Sequence, residues 1–430
     1  MLDPRWVREH SDEVRAAARR KRMDPALVDA FLERDREHRA ALTEAENLRA
    51  ALKDAAKRLG AMSPAAREGA LGEQKAQKAR LKDLEPRAQV LAAAVRAVAL
   101  RLPMPPAPEV PEGASDLENV EIRRSAPPTA FAFAPKSHVE LGEALGIVDI
   151  PRGVNLAGTR NYLLLGAGAL LERAVLQYAL DHMVGRGFTP VAVPTLVKTW
   201  CLEGTGYFPG GEEQAYLAER DGLALVGTAE VPLTAMNAGE TLEESALPLR
   251  RVAVSPCYRR EAGTYGKDTK GLYRVHQFWK VEQVVIGPAD AEWSRAEHAR
   301  MLGHATDLMD ALDLAYRVVN VCGGDLGQGQ VQKFDVETWM PSRNGWGETH
   351  SASRFHDFQA RRLELRYKPE GGGKPLYCHT LNNTVVASPR VLICLLENHQ
   401  QADGSVRVPE ALRPYLGGLQ RIEPAALAAR

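Results

Sequence analysis

A polar, glycine-rich loop between two strand-like runs carries the side chains best suited to chemistry. Residues 257–282 have the sequence CYRREAGTYGKDTKGLYRVHQFWKVE. Side chains two positions apart on a strand share one face, so we expect Arg259 and Glu261 to lie together. Such a surface could bind a phosphate or a carboxylate through arginine and accept a hydrogen bond from an amine. The returning strand would present Phe278, Lys280 and Glu282 on one face, and the loop between them contains Gly263, Gly266 and Gly271.

This combination suits a nucleotide, because an aromatic ring can stack on a base while arginines neutralise phosphates. The chain has neither G-x-G-x-x-G nor G-x-x-x-x-G-K-[ST], so nucleotide chemistry would need another kind of site. Taken alone, however, the charge pattern favours an ordinary charged hairpin.

Two further segments carry polar side chains that could bind ions. Glu348 and Ser351, in the segment GETHS, suit Mg²⁺, which prefers carboxylate, water and phosphate oxygens, although helix caps have similar sequences. Arg390 precedes an apolar run that predicts a buried helix. It would lie on the first turn of that helix, where anions are attracted, unless it is simply solvated.

The first hundred residues predict two long antiparallel helices. Apolar residues recur every three or four positions in two stripes, and the second stripe has the spacing of a coiled-coil seam. Between the stripes, residues 60–64 supply a helix stop, a serine N-cap and a proline at the first helical position. Residues 27–59 would form an arm roughly 50 Å long, and Pro86 should kink the second helix or start a new one. The stripes are Leu42, Ala45, Leu48, Leu52, Ala55 and Leu59, then Leu81, Leu84, Ala88, Leu91, Val95, Val98 and Leu102.

Five prolines between Pro103 and Pro111 predict a semi-rigid linker, because such a segment can form neither a helix nor a central strand. We therefore expect a helical arm at 1–103, a linker at 104–115 and a larger domain at 116–430. The larger domain has an α+β pattern, which predicts an antiparallel sheet flanked by helices. Its expected helices are Leu170–Val184, 290–313 and 388–401, and its expected strands include 188–194, 251–254 and 280–286.

The composition narrows the class of protein. The 430 residues include 55 basic and 55 acidic side chains, so the net charge gives no indication of a nucleic-acid partner. Residues 51–100 nevertheless carry ten basic against five acidic residues, which either solvate the helices or contact phosphates. The five scattered cysteines and the lack of an apolar span or signal segment predict a cytoplasmic protein without structural zinc or membrane association.

Together and in this order, the three polar segments resemble the signature motifs of class II aminoacyl-tRNA synthetases. Motif 1 is similar to Leu170–Pro194, motif 2 to the hairpin from Tyr258 to Glu282, and motif 3 to the helix of Arg390. The element Thr228–Glu230 (TAE), the motif 2 loop and the helical hairpin before the proline-rich linker resemble the seryl-tRNA synthetase family specifically. The resemblance covers nearly the whole chain, and it implies ATP-dependent activation of L-serine followed by transfer to the terminal adenosine of tRNA-Ser.

The resemblance also implies roles for individual residues. Arg259 would hold the ATP α-phosphate and the serine carboxylate, and Phe278 would stack on adenine. Glu348 and Ser351 would bind Mg²⁺, and Arg259, Arg390 and Glu348 would be the catalytic residues. The implied ATP-binding residues are Arg259, Arg260, Glu261, Arg274, Val275, Phe278, Glu348, Ser351 and Arg390, and the implied serine-binding residues are Thr228, Glu230, Arg259, Glu282, Asn382 and Thr384.

The family resemblance further implies a homodimer, with the helical arm reaching the long variable arm of tRNA-Ser and, by the same likeness, selenocysteine tRNA. Two motifs depart from the common bacterial pattern. In motif 2, Arg260 replaces the common serine. Motif 3 usually reads Asn-Gly-Ser-Gly with a glycine before the arginine, and this chain has Asn383, Thr384, Val385 and Pro389 there instead. One alternative is a non-catalytic homologue that binds RNA or regulates translation, although Arg259, Glu261 and Arg390 are retained. Another is a ligase that loads a carrier protein, for which the long arm would have no use.

Overall fold

The computed structural model describes residues 1–59, 62–263 and 270–424. It contains two compact units, Met1–Pro105 and Pro106–Arg430, and the division falls in the proline-rich segment. Gly60 and Ala61 of the expected helix stop and Gly266 of the motif 2 loop lie outside the described residues.

Long helices dominate the N-terminal unit. The third helix has 33 residues and the fourth has 36, and both are rich in alanine, leucine and charged residues that favour helix. Ser63 precedes the fourth helix as its N-cap and Pro64 is its first residue, as expected. The fourth helix continues through Pro86, so the prediction that a new helix could start there is wrong. The helices are α1 (Pro4–Glu9), α2 (Ser11–Arg20), α3 (Ala26–Arg58) and α4 (Pro64–Ala99).

Helices α3 and α4 pack through small and branched apolar side chains. Ala41, Ala45, Leu84 and Ala88 form the buried seam, so the repeat of three and four residues correctly predicts most of the contact. Leu42 is 40% exposed, and its neighbour Ala41 faces the partner helix instead. Successive residues on a helix differ by about 100° in direction, so the predicted stripe is one residue too far along the chain at this point.

An eight-stranded sheet forms the centre of the C-terminal unit, with the order β1-β11-β12-β13-β16-β10-β9-β4. Neighbouring strands are antiparallel except for the parallel pair β4 and β9, which confirms the expected α+β class. These strands are β1 (Val120–Arg124), β4 (Thr189–Pro190), β9 (Leu249–Tyr258), β10 (Gln277–Gly287), β11 (Tyr316–Asn320), β12 (Gln332–Met340), β13 (Gly345–His356) and β16 (His379–Ala387).

The remaining strands form smaller sheets, and the expected strand at 188–194 is limited to the two residues of β4. The short strands are β2 (Val148–Asp149), β3 (Leu163–Leu164), β5 (Leu196–Lys198), β6 (Tyr216–Ala218), β7 (Leu223–Leu225), β8 (Thr241–Glu243), β14 (Arg366–Lys368), β15 (Leu376–Tyr377), β17 (Val406–Arg407) and β18 (Arg421–Ile422).

Helices cover the sheet and complete its core. The expected helices near 170–184, 290–313 and 388–401 are α7, α10 and α12, and their apolar side chains pack against the strands in one large buried cluster. Among the described residues, no helix combines the length and the apolar character that crossing a bilayer requires. The helices are α5 (His138–Ala144), α6 (Ile150–Ala157), α7 (Ala167–Val184), α8 (Thr199–Thr205), α9 (Glu230–Ala235), α10 (Ala291–Ala311), α11 (Phe358–Leu363) and α12 (Ser388–Asn398).

Candidate functional site

The polar segments converge on one cavity of about 610 Å³ in the C-terminal unit. Strands β10, β13 and β16, the segment after β9 and the start of α12 contribute to its wall. Arg259, Glu261 and Phe278 all line it, so the hairpin does present a guanidinium, a carboxylate and a ring to one space. The other lining residues with expected roles are Glu230, Arg274, Val275, Glu282, Glu348, Ser351, Asn382, Thr384 and Arg390.

Arg259 and Glu261 reach the cavity by a different geometry from the expected strand. Strand β9 ends at Tyr258, and Glu261 has a left-handed φ of 52°, so the shared-strand prediction for these two residues is wrong. The Arg259 backbone N–H donates to the carbonyl of His276 at 2.9 Å, which holds the segment against the returning chain. The guanidinium carbon of Arg259 then lies 5.4 Å from the centre of the Phe278 ring.

The returning strand does place Phe278, Lys280 and Glu282 on the cavity side, as the alternation predicted. Lys280 forms an ion pair with Glu282 and donates to Oγ1 of Thr228 at 2.6 Å. The Thr228 hydroxyl also lies 3.2 Å from Oε2 of Glu282. Because all three polar side chains are buried, the lysine charge is needed to balance the carboxylate at the cavity floor.

A second buried carboxylate, Glu230, lies beside this cluster and is held from two directions. The Tyr207 hydroxyl donates to it at 2.7 Å, and Nε2 of Gln359 donates at 2.8 Å. Burial raises the pKa of Glu230 above its usual range, and the nearby charge of Glu282 adds to this effect. Tyr207 and Gln359 belong to distant segments, and neither carries a sequence signal that would have linked it to Glu230.

Arg390 lies on the first turn of α12, as predicted, and it faces Glu348 on β13. Its Nη1 donates to the Glu348 carbonyl at 2.8 Å and lies 3.2 Å from the carboxylate Oε2. Desolvation acts to raise the pKa of Glu348, but Arg390 and then Lys333 outweigh it, so this pKa lies below its usual range. The Arg390 guanidinium also covers the ring of Tyr273, 4.5 Å from its centre.

Oxygen donors for a hard cation lie beside that pair. Asp335 on β12 lies opposite Ser351 in the strand register, and burial holds the pKa of Asp335 above its usual range. Nζ of Lys333 is 3.2 Å from the Asp335 carboxylate. We did not identify Asp335 or Lys333 from the sequence, because alternation along a strand marks a face and not a role. Within the described residues, no group of three or more histidine, cysteine, aspartate or glutamate side chains is arranged to hold a metal.

Two residues with expected ligand contacts do not line the cavity. Thr228 lies behind its floor, buried against Lys280. Arg260 is exposed, and its guanidinium carbon is 5.6 Å from the centre of the Tyr216 ring. Arg260, which departs from the common motif 2 pattern, is therefore not one of the residues that line the cavity.

Comparisons with known proteins agree with this arrangement. Residues 216–399 match the tRNA synthetase class II core domain (G, H, P, S and T), and residues 1–106 match the seryl-tRNA synthetase N-terminal domain. The chain is 47% identical to a serine–tRNA ligase of Deinococcus radiodurans over 97% of its own length and 98% of that protein. It belongs to the seryl-tRNA synthetase family. A serine–tRNA ligase of Mycobacterium avium is 44% identical to this family member, with 99% of each chain covered.

Solved structures of seryl-tRNA synthetases have the same architecture. The crystal structure of the Pyrococcus horikoshii enzyme complexed with ATP matches with a TM-score of 0.94 and 37% identity, covering 99% of this chain and 100% of that chain. The cytoplasmic serine–tRNA ligase of Naegleria fowleri, in complex with AMP, matches with a TM-score of 0.88 and 28% identity over 99% of each chain. The fold, the family and the serine–tRNA ligase activity predicted from the sequence are thus confirmed, and the non-catalytic alternative receives no support.

Proposed function

We propose that the cavity binds ATP and L-serine, joins them as seryl-adenylate, and passes the seryl group to tRNA-Ser. A serine carboxylate oxygen would attack the α-phosphorus, forming the new P–O bond while the bond to the β-phosphate oxygen breaks and pyrophosphate leaves. The 3′-hydroxyl of the terminal tRNA adenosine would then attack the seryl carbonyl and release AMP. The observation that carries this proposal is the meeting of Arg259, Glu261 and Phe278 with a buried carboxylate pair in one cavity.

The part of the cavity that Phe278 and Glu261 line suits ATP. Phe278 offers a ring face to adenine, and Glu261 can accept a hydrogen bond from the adenine amino group. Arg259 would hold the α-phosphate, and Arg274 and Arg390 would hold the β- and γ-phosphates. Val275 adds a buried apolar contact to the same wall.

The reaction needs no activated side-chain nucleophile, since the serine carboxylate is the attacking group. Three arginines around a small cavity would place the two substrates in line and neutralise the charge that develops on the phosphate. Arg390 is already oriented by the carbonyl and carboxylate of Glu348, so little reorganisation is required when phosphate arrives.

The part of the cavity that Glu230 and Glu282 line suits serine. Glu230 would accept from the serine ammonium group, and Thr228, whose hydroxyl accepts from the Glu230 backbone N–H at 3.2 Å, would support it from behind the wall of the cavity. Glu282 and Thr384 would bind the side-chain hydroxyl, with Asn382 nearby. Alanine would leave these buried groups without a partner, which costs roughly 1–3 kcal/mol. Threonine must be refused by shape, and the additional methyl group of Thr384, relative to serine, narrows the space available.

Glu348 and Ser351 are the residues that would hold Mg²⁺. Their carboxylate and hydroxyl oxygens, with phosphate oxygens, are ligands that this ion prefers, and Asp335, opposite Ser351 in the strand register, offers a further carboxylate. The ion would neutralise phosphate charge during adenylate formation.

We propose that the N-terminal unit, with boundaries close to 1–103 and a linker at 104–115, binds the long variable arm of tRNA-Ser. Helix α4 exposes several lysines on its outer face, among them Lys75, Lys78 and Lys82. RNA helices are recognised mainly through shape and phosphate contacts, which suits a basic rod with little base-reading capacity. Deletion of residues 30–95 should preserve adenylate formation and abolish tRNA charging.

Exposed apolar residues support a homodimer. Leu170 on α7 is 60% exposed, and Val120 and Ile122 on the edge strand β1 are 47% and 53% exposed. Apolar groups on an edge strand are normally covered. Light scattering after size-exclusion chromatography should give the dimer mass at micromolar concentration, and a monomer would contradict the proposal.

A cytoplasmic location fits the cysteines. All five lie in the described residues, each is buried, and none is paired. Unpaired thiols are typical of a reducing compartment. Fractionation of cells that produce the protein would check this location.

Two assays test the function as a whole. Serine-dependent exchange of pyrophosphate into ATP tests adenylate formation, and charging of total tRNA with serine, threonine and alanine tests transfer and selectivity. We expect exchange and charging with serine alone. Exchange that does not depend on serine would refute the substrate assignment.

A further inference from the structure

Outside the cavity, a buried histidine connects three segments that are far apart in sequence. His138 is the first residue of α5, and its side chain is only 11% exposed. Its Nδ1 lies 2.7 Å from Oε1 of Glu397 on α12, and the backbone N–H of Leu272 donates to its Nε2 at 3.2 Å. The ring therefore bridges the motif 3 helix and the chain that returns from the motif 2 loop.

The hydrogen bonds determine the state of the imidazole ring. Because the Leu272 N–H donates to Nε2, that nitrogen carries a lone pair, and the ring proton resides on Nδ1 and points to Glu397. Glu397 is fully buried and also accepts from the N–H and hydroxyl of Ser342 at 2.9 and 2.7 Å. Each polar atom of the His138 ring thus has one defined partner, which leaves the ring a single orientation.

The segment that His138 holds leads directly into the proposed ATP site. Leu272 is fully buried and is followed by Tyr273, whose ring supports Arg390, and by Arg274. Gly271 packs so closely on the imidazole that a Cβ there would lie 2.1 Å from Nε2. A displacement of Leu272 would therefore move both the Tyr273 ring and the Arg274 side chain.

We propose that His138 is a positioning residue for ATP binding, which fixes the end of the motif 2 loop against the motif 3 helix. The inference rests on the proposed function, since it assigns Arg274 and Arg390 to the ATP phosphates. His138 does not touch the cavity and does no chemistry. Its contribution is to hold Leu272, and through it Tyr273 and Arg274, in the position that receives the triphosphate.

Three substitutions separate this role from a general contribution to stability. His138→Leu removes both hydrogen bonds, His138→Gln can still offer an oxygen to the Leu272 N–H, and His138→Asn keeps a donor near Glu397 only. We expect His138→Leu and His138→Asn to raise KM for ATP by about 5- to 10-fold, which corresponds to the loss of one buried hydrogen bond, the one from the Leu272 N–H that both variants lack. His138→Gln should remain within about threefold of the wild type, and KM for serine should change less than about twofold in all three.

The matched control is His399, which is also buried and follows the last residue of the same helix α12. Its ring makes two polar contacts, to the carbonyl of Leu312 and to Arg407, and none to Leu272. His399→Leu should lower the thermal midpoint without changing the ratio of the two KM values. This result would show that weakening the end of α12 is not sufficient for the ATP effect.

Amide hydrogen exchange at Leu272 gives a readout that does not depend on activity. The exchange rate in the full-length protein should rise in His138→Leu and His138→Asn and stay near the wild-type rate in His138→Gln and His399→Leu. Unchanged exchange at Leu272 in His138→Asn, or equal rises of both KM values, would overturn the inference. Failure of the proposed function is distinguishable, because the wild-type protein itself would then lack serine-dependent exchange.

Discussion

Arg390 and Glu348 are joined twice, through the backbone carbonyl of Glu348 at 2.8 Å and through its carboxylate at 3.2 Å. The first contact fixes the guanidinium relative to strand β13, and the second keeps the carboxylate ionised, since Arg390 is the main group that lowers the pKa of Glu348. Under the proposed function, the same arginine would be oriented for phosphate and would keep the neighbouring carboxylate charged for a cation.

Substitution of Arg390 should damage catalysis more than folding. We expect Arg390→Gln to reduce kcat/KM for ATP in pyrophosphate exchange by about 10²- to 10³-fold, because a preorganised charge at the phosphate is lost. Arg390→Lys should recover only part of this activity, since a lysine cannot reproduce the planar pair of donors. Near-normal exchange in Arg390→Gln would exclude a role in binding phosphate.

Arg259 and Arg260 form a natural pair for a second test, because they are adjacent and only Arg259 lines the cavity. Arg259→Ala should lower serine-dependent exchange by at least about 10³-fold while the circular dichroism spectrum remains unchanged. Arg260→Ala removes an equal charge outside the cavity and should stay within about threefold of the wild type. Equal losses in the two variants would point to net charge instead of a phosphate contact.

Glu230 should make serine binding dependent on pH. Its pKa is raised by burial, and only the ionised form attracts the serine ammonium group, so KM for serine should increase as pH falls from neutrality towards 4.5, the ordinary glutamate value. KM for ATP over the same range serves as the internal control. A Glu230→Gln variant should bind serine weakly at every pH and lose this dependence.

Ionisation of Glu230 favours serine binding but lowers the stability of the fold. A pKa raised on folding contributes stability below the unfolded-state pKa, and that contribution is lost as pH rises through the folded-state pKa. Glu230→Gln should therefore be more stable than the wild type at neutral pH, with the difference shrinking as pH approaches 4.5. Urea unfolding at several pH values would measure it, and a variant less stable at neutral pH would contradict the assigned direction.

Thr384 should contribute to the choice of serine over alanine. Thr384→Val keeps the shape of the side chain and removes the hydroxyl, so KM for serine should rise by about 5- to 10-fold with little change for ATP. Thr384→Ser keeps the hydroxyl and serves as the control, with an expected change below about threefold. Discrimination against alanine should fall in Thr384→Val alone, as measured by exchange with each amino acid.

The exposed lysines of α4 should affect tRNA and not adenylate formation. In the triple variant Lys75→Gln, Lys78→Gln and Lys82→Gln, we expect unchanged exchange and a higher KM for tRNA-Ser. The dependence of tRNA affinity on salt should also become shallower, by about 0.7 to 0.9 in log–log slope for each phosphate contact removed. An unchanged salt slope would show that these three lysines only solvate the helix.

Local pattern was sufficient for most elements of the fold. The helices α3, α4, α7 and α12 and the strands β9 and β10 follow from apolar periodicity and from proline and glycine positions, because these features act over a few neighbouring residues. The alternation that placed Phe278, Lys280 and Glu282 on one face is equally local. With the order of the motifs, the sequence by itself determined the family, and all the predicted site residues except Thr228 and Arg260 line the cavity.

Only the tertiary structure decided how these residues are held. Glu261 reaches the cavity from a residue with left-handed backbone geometry and not from a strand. In the helical hairpin, Ala41 is buried in the seam and Leu42 is exposed. Tyr207 and Gln359 orient Glu230, and His138 joins Leu272 to Glu397, across separations of up to 259 residues. Such contacts have no sequence signature, because the direction and distance between side chains from remote segments exist only after the sheet and its helices have packed.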